Sequence, residues 1–191
     1  MIEVRAAGVG NWEEFVRTGG WDVGRTPPMA LGVEAAGTIR AIGDSVEDWE
    51  PGDEVLTHPL PLRDQGTWAP LLIASATVLA RKPASLSWEA AAVFPVPALT
   101  ATQVIDGALA LRPDDLVLVN GGSGVTGTLL IGLAAARGAE VIATAGPASH
   151  DRLRRLGAAH VLDYHDPSWP VQARAIGGGL GVAAVANAVP N

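Results

Sequence analysis

Four consecutive apolar residues, Leu116, Val117, Leu118 and Val119, are followed by a glycine-rich break and then by a longer apolar stretch over residues 128–136. A short apolar run bounded by turn residues predicts a strand covered on both faces, and the longer run predicts a helix. Asp114 and Asp115, after Arg112 and Pro113, make the turn that launches the strand. Gly138 follows Arg137 where a helix is closed by a C′ glycine. The helix is apolar almost all round and is expected to be buried. Residues 140–145 predict a second strand and residues 160–164 a third. Residues 181–187, beyond the loose run Gly177, Gly178 and Gly179, predict a fourth. Strand and helix alternating at this spacing predict a parallel sheet with right-handed crossovers.

The first half has a different pattern. Residues 1–93 show no long helical period. Residues 33–42 and 54–57 read as short strands, with turns at 43–45 and 51–53 between them. Residues 67–80 form another strand-like region. Ser87 is placed to cap a short helix over residues 87–93. The expected fold class is therefore α/β: a small β-rich domain over residues 1–93 feeds a nucleotide-binding domain over residues 94–191. The junction falls near residues 90–100.

The glycine break adds chemistry to this outline. Gly121, Gly124 and Gly127 stand three apart between the first strand and its helix. A dinucleotide pyrophosphate site needs this layout: one glycine for the tight turn, one for close backbone approach, one for helix packing. Val125 and Thr126 open the helix, whose free N–H groups and positive dipole end suit an anion. A purely structural glycine-rich turn is the alternative. The end of the second strand discriminates between cofactors. An acidic side chain there would bind the ribose hydroxyls of NAD, yet residues 144–150 hold none. Gly146, Ser149 and Arg152 lie in this region, with Arg154 and Arg155 just beyond. The missing carboxylate and nearby cations favour NADP(H). The arginines also fit a solvated helix face.

Composition narrows the partners. The formal charge is −7, and residues 1–93 carry thirteen acidic against seven basic side chains. This disfavours nucleic acid or an anionic membrane. Six tryptophans are present, but none sits in a basic cluster. No apolar run reaches the ~18 residues of a membrane span, and the start lacks a signal-peptide pattern. A cytoplasmic location is expected. There is no cysteine, hence no disulfide framework, thiol nucleophile or cysteine-ligated zinc. His58, His150, His160 and His165 show no ligand spacing and read as loop or surface residues, so no metal is assigned.

Four segments in order resemble the medium-chain dehydrogenase/reductase superfamily, and its zinc-independent quinone oxidoreductase branch in particular. They are Val4, Arg5, Ala6, Ala7, Gly8, Val9; Gly32, Val33, Glu34, Ala35, Ala36, Gly37 through Gly43 and Val46; Trp49, Glu50, Pro51, Gly52, Asp53, Glu54, Val55; and Leu99, Thr100, Ala101. The resemblance covers essentially the whole chain. It implies a GroES-like β domain and a Rossmann domain, a doubly wound parallel sheet, with the active cleft between them. Zinc-dependent members place a histidine where Val33 stands. The resemblance further implies that Thr100 lies near the nicotinamide and Tyr164 near the adenosine end. Ser149 takes the place of a lysine used against the 2′-phosphate. Relatives carry an asparagine and a tyrosine near the nicotinamide. Here Asn11 falls one residue late, and Phe15 fills the tyrosine position without a hydroxyl. Asn11 and Phe15 are the candidate substrate-binding residues, and no catalytic acid is assigned, His58 being a weak candidate.

Relatives have a further strand before Val4 and two more after Asn187, so a partial family member is expected. Strand order 3-2-1-4 keeps the crevice between strands one and four but leaves strand four at an edge. The family's usual dimer edge is among the missing parts, leaving a homodimer open. The implied activity is NADPH-dependent hydride transfer to a small molecule, a quinone or an α,β-unsaturated carbonyl. The alternatives are a non-catalytic nucleotide-binding or interaction module, or a piece of a full-length reductase. Apolar loop residues such as Pro59, Leu60, Pro61 and Leu62 do not specify a substrate.

Overall fold

The computed structural model describes residues 1–24, 28–60, 62 and 66–189. Pro61, read above within an apolar loop, lies outside them. The chain divides into two compact units, Met1–Val96 and Pro97–Asn191.

The first unit is built on a five-stranded sheet: β1 (Ile2–Ala7), β2 (Ala35–Ile39), β3 (Glu54–Thr57), β4 (Leu71–Leu72) and β5 (Leu79–Arg81). Its order is β4-β1-β2-β3-β5, and every pair is antiparallel. Register sorts the side chains into two faces. Ile2 lies opposite both Ile39 and Leu72, and Gly37 lies opposite Val55. Ile2, Ile39, Val55 and Leu72 accordingly form one core. Positions one residue along point the other way. Ala36 and its partner Leu56 pack on Ala91 and Ala92 of a short helix, α2 (Trp88–Ala92). Gly37 permits the closest approach of β1, since a Cβ there would lie 2.2 Å from the Glu3 carbonyl oxygen.

The Ser87 Oγ accepts the Ala90 amide at 3.2 Å and caps α2. Ser87→Ala is expected to lower stability by about 1 kcal/mol. The check is a urea titration, in which the midpoint falls while the slope holds.

Three parts of this unit differ from the pattern-based outline. Residues 33–42 shorten to β2. Residues 67–80 are not one strand: they break into β4, a 3-10 turn over Ala76–Val78 and β5. The Ser75 hydroxyl accepts the Thr77 amide and bends the chain there. A helix that the pattern did not announce, α1 (Trp12–Thr18), precedes β2. Seven residues are too few for a period to show, and Gly19 ends it in the left-handed region at φ 78°.

A helix, α3 (Pro95–Thr102), carries the chain into the second unit and continues as a π-helical stretch over Gln103–Ala108. Then follow β6 (Leu116–Asn120), α4 (Val125–Ala136), β7 (Glu140–Thr144), α5 (His150–Arg155), β8 (His160–Leu162), α6 (Trp169–Ile176) and β9 (Ala184–Asn187). The four strands are parallel in the order β8-β7-β6-β9, which is the expected 3-2-1-4. Val117, Val119, Val141, Ala143 and Ala186 face Leu130, Ile131 and Ala134 of α4, Leu153 of α5 and Ala101 of α3. Leu118, Ile142 and Leu162 face Ala173 of α6. Helix α4 is buried along one side only: Leu129 and Leu133 are half-buried and Ala136 is exposed. Among the described residues β9 pairs only with β6, and Val185 on it is 53% exposed. No helix among the described residues is long and apolar enough to cross a membrane.

Candidate functional site

The glycine turn joins β6 to α4. Gly121 takes a positive φ of 76°, which a side chain would resist. Gly127 lies in the first turn of α4, directly over Gly121. A Cβ on it would sit 2.2 Å from the Gly121 carbonyl oxygen and 2.9 Å from Gly122 Cα. Gly124 is different. A Cβ there would meet only the Gly121 oxygen, at 3.5 Å, so its outer face is open. Gly121 and Gly127 thus serve the turn and the packing, while Gly124 leaves room for something outside.

Three amides of the turn are already engaged within the protein. The Gly121 N–H donates to Thr144 Oγ1 at 3.1 Å, the Gly122 N–H to the Thr144 carbonyl, and the Gly124 N–H to the Gly121 carbonyl. The Thr144 hydroxyl donates to Asn120 Oδ1 at 2.5 Å, and Asn120 Nδ2 donates to Asn187 Oδ1 at 3.0 Å. This string of side chains crosses the C-terminal ends of β7, β6 and β9. Thr144 is fully buried and was not singled out from the sequence, where it reads as one more residue of an apolar strand. A hydroxyl in a fully buried strand was the available signal, because such a group must find partners. The first-turn N–H groups of α4, on Val125, Thr126 and Gly127, are donors suited to an anion, since helix geometry leaves them without an intrahelical acceptor.

Beyond β7 the chain passes Ala145 and Gly146 into a 3-10 turn over Pro147–Ser149 and then α5. Arg152 reaches back from α5, its Nη2 donating to the Ser123 carbonyl at 3.0 Å. Its guanidinium is thereby held beside the glycine turn. Arg154 instead pairs with Asp151 on the surface, within the same helix. Ser149 is half-buried at the end of the 3-10 turn. Tyr164 is 51% exposed, and its ring stacks on His165 with centroids 4.1 Å apart. Gly146 lies against this pair: a Cβ on it would be 3.5 Å from His165 Cε1 and 3.8 Å from the Tyr164 hydroxyl. Asp163 fixes His165 through both its amide and its Nδ1. The amide of His165 is the leading reason that the Asp163 carboxyl is held below its ordinary range, with the His165 and His150 side chains adding to it. So the second unit brings together the glycine turn, Arg152, Gly146, Ser149 and Tyr164 around the C-terminal ends of β6 and β7. Thr100 lies exposed on α3, next to the buried Ala101.

In the first unit, Asn11 precedes α1 in helical backbone geometry, and its side chain does not cap the helix. Phe15, one turn later, is 58% exposed. The residue that sequence reasoning passed over lies between β1 and β2. Glu34 is 1% exposed. Its Oε2 accepts the Val96 amide at 2.9 Å, and its carbonyl accepts the Gly8 amide and the Thr67 hydroxyl. Its carboxyl crosses Gly8 so closely that a Cβ there would lie 2.5 Å from Oε1. Burial pushes the Glu34 carboxyl up to about 7, opposed by the Val96 amide and reinforced by the charge of Glu13. Glu13 is itself 5% exposed, and its Oε2 accepts the Gly10 amide at 2.7 Å. A carboxylate inside the apolar run Leu31 to Gly37 was the available signal.

Three of the histidines lie within hydrogen-bond distance of an oxygen of the chain, and His165 is paired with Asp163 on the surface. His58 Nδ1 is 2.6 Å from the Val33 carbonyl, His150 Nε2 is 3.0 Å from the Ala145 carbonyl, and His160 Nε2 is 2.8 Å from Glu140 Oε1. Of these three partners, only that of His150 is local in sequence. Among the described residues, no group of three or more His, Cys, Asp or Glu side chains is placed to hold a metal ion.

Comparison with known proteins places these features in context. Residues 1–84 match the family described as the alcohol dehydrogenase GroES-like domain. The chain is 35% identical over 191 residues to the erythronolide synthase EryA2 of Saccharopolyspora erythraea, covering 98% of this chain and 5% of the synthase. Its structure resembles the CurK enoyl reductase with a TM-score of 0.83 at 27% identity, covering all of this chain and 58% of that one. It resembles mycobacterial Rv1454c, solved in complex with NADPH, with a TM-score of 0.80 at 31% identity, covering 96% of this chain and 56% of that one. A quinone oxidoreductase from Coxiella burnetii is also among the similar structures.

Proposed function

The chain belongs to the medium-chain dehydrogenase/reductase superfamily, and from that premise we propose an oxidoreductase of the quinone oxidoreductase and enoyl reductase type that binds NADP(H) and serves hydride transfer to an α,β-unsaturated carbonyl or a quinone. One observation supports the cofactor above the others. The open face of Gly124 and the first turn of α4 lie beside a guanidinium held on the Ser123 carbonyl. Residues that fit a pyrophosphate and a further phosphate are thus close together, with no carboxylate at the end of β7 to repel the latter. The N–H groups of Val125, Thr126 and Gly127 would hold the pyrophosphate, and Arg152 the 2′-phosphate, with Ser149 donating a neutral hydrogen bond. Gly146 and Tyr164 would border the adenosine. Bound NADPH supplies the hydride; the protein positions it and excludes water. Asn11 and Phe15 would line the acceptor's side, and Thr100 would serve the nicotinamide. Phe15 has no proton to give, so reduction without a zinc ion draws its proton from solvent.

The chain spans 5% of the synthase it matches and between 55% and 61% of the first similar structures, so activity is the part to be measured directly. The experiment is equilibrium titration with NADPH and NADH, followed by NADPH oxidation with a small quinone and with a short enoyl thioester. Turnover supports the enzyme. Tight binding with no oxidation by either acceptor supports the second reading, a nucleotide-binding module, which the exposed and hydroxyl-free Phe15 favours. Binding of neither nucleotide would reject both.

Arg152→Ala tests the phosphate preference. Loss of one charge-assisted contact is expected to weaken NADPH about tenfold. NADH affinity should stay within about a factor of two, since it lacks the group that Arg152 would meet. Equal losses for both nucleotides, read by fluorescence titration, would remove Arg152 from that role.

A further inference from the structure

The buried Glu34 is the group for which the nucleotide site has no use. Its position is unusual. Val96, whose amide it accepts, is the second residue of α3 and the last residue of the first unit. The first-turn amides of a helix have no intrahelical acceptor, and a negative charge there is favoured by the helix dipole. Glu34 therefore supplies both an acceptor and a charge at the start of the helix that carries the chain onward. Its own backbone is fixed on two sides, by Gly8 from the end of β1 and by Thr67. Its side chain is fixed against Gly8, where no Cβ intervenes. The anchor is thus held by contacts that do not involve α3.

We propose that Glu34 is a positioning residue, whose ionised carboxyl holds the first turn of α3 and thereby the placement of Thr100 one turn further along. The role of Thr100 rests on the function proposed above; the hold on Val96 does not. Protonation weakens the hold, because a neutral carboxyl loses its attraction for the helix end. Neighbouring groups bear on this carboxyl. Glu13 on α1 acts on it by charge, the Val96 amide by hydrogen bonding, and His58 sits one residue away on the Val33 carbonyl. Burial of the carboxyl places its titration close to neutrality, where the hold can change under ordinary conditions.

The test uses the whole chain labelled with ¹⁵N and ¹³C. The Val96 amide resonance and the Glu34 carboxyl resonance are followed together across pH 5.5 to 8.5, in the wild type and in Glu34→Gln. The expected result is a shared midpoint in the wild type and a flat Val96 resonance in the variant. If both resonances titrate separately, or Val96 titrates alike in the variant, the hold is overturned. Should the variant fail to fold, the wild-type pair decides alone. A second arm reads kcat/KM for NADPH oxidation against pH. Glu34→Gln should lose the neutral-pH inflection and lie on the order of tenfold below wild type above it. An unchanged profile beside a titrating Val96 would overturn the positioning role. No turnover in the wild type beside a titrating Val96 would overturn the proposed function and leave the hold intact.

Discussion

Gly127→Ala is expected to unfold the second unit at markedly lower denaturant than the wild type, while Gly124→Ala leaves its stability nearly unchanged. The contrast runs against helix propensity. Alanine in a helix interior is ordinarily favoured over glycine by up to about 1 kcal/mol. At position 127 that gain is reversed by a Cβ placed 2.2 Å from the Gly121 carbonyl oxygen. Both obstructing groups belong to the backbone of the turn, so no side chain can swing away. Either α4 lifts from the turn or the turn opens, and overpacking of this kind costs about 1–3 kcal/mol or more. At position 124 the backbone, with φ −72° and ψ 171°, is open to any residue, and the new methyl finds only a 3.5 Å contact. Its loss should stay under about 1 kcal/mol, the difference between glycine and alanine as a helix cap. NADPH affinity should separate the two in the opposite sense. Gly124→Ala places a methyl on the face open to the pyrophosphate and is expected to weaken binding more than about tenfold. Urea melts and nucleotide titrations on the two variants give the answer. A stable Gly127→Ala, or a Gly124→Ala that binds like wild type, would contradict the assignment of the two glycines.

Glu34→Gln is expected to stabilise the protein above neutral pH, although it weakens one hydrogen-bonded contact. The carboxyl rises from an ordinary 4.5 to about 7 in the folded state. Below 4.5 it is neutral both folded and unfolded. Between these values the folded state binds the extra proton, so stability falls as pH rises through about 7. The part lost at pH 8 is of order 3 kcal/mol, from the energy of a shift of this size. Glutamine cannot ionise and keeps an amide oxygen for Val96. The variant should therefore show little of the wild-type decline between pH 5 and pH 8 and should melt higher at the alkaline end. Thermal melts at both pH values check this. A wild type with flat stability, or a variant weaker than wild type at pH 8, would show that burial of this carboxyl carries no such cost.

The second unit was largely legible because its elements are long, apolar and separated by glycines that each have one task. Residues 116–119, the turn and α4 could be placed from the lengths of the apolar runs and the glycines between them, and the parallel sheet followed from the alternation of strand and helix. The first unit was less legible. Its strands are short, and α1 is too brief for periodicity, being closed by Gly19 rather than by its own composition. In the candidate site, the glycines and Arg152 could be named because their residue types are conspicuous. Thr144 and Glu34 offered only a faint signal, one polar group in an apolar run, since each acquires its partners through distant chain segments: Asn120 and Gly121 for one, Gly8, Thr67 and Val96 for the other. A side chain whose importance lies in long-range partners leaves little local trace.

The string from Thr144 through Asn120 to Asn187 has a further consequence. Each hydroxyl or amide in it has its donor and its acceptor side already assigned, so the turn has one shape before any ligand arrives. Ordering entropy at these residues is met during folding and not on association. Nucleotide capture should then proceed as a single bimolecular phase, with a rate linear in nucleotide concentration and no slower rearrangement behind it.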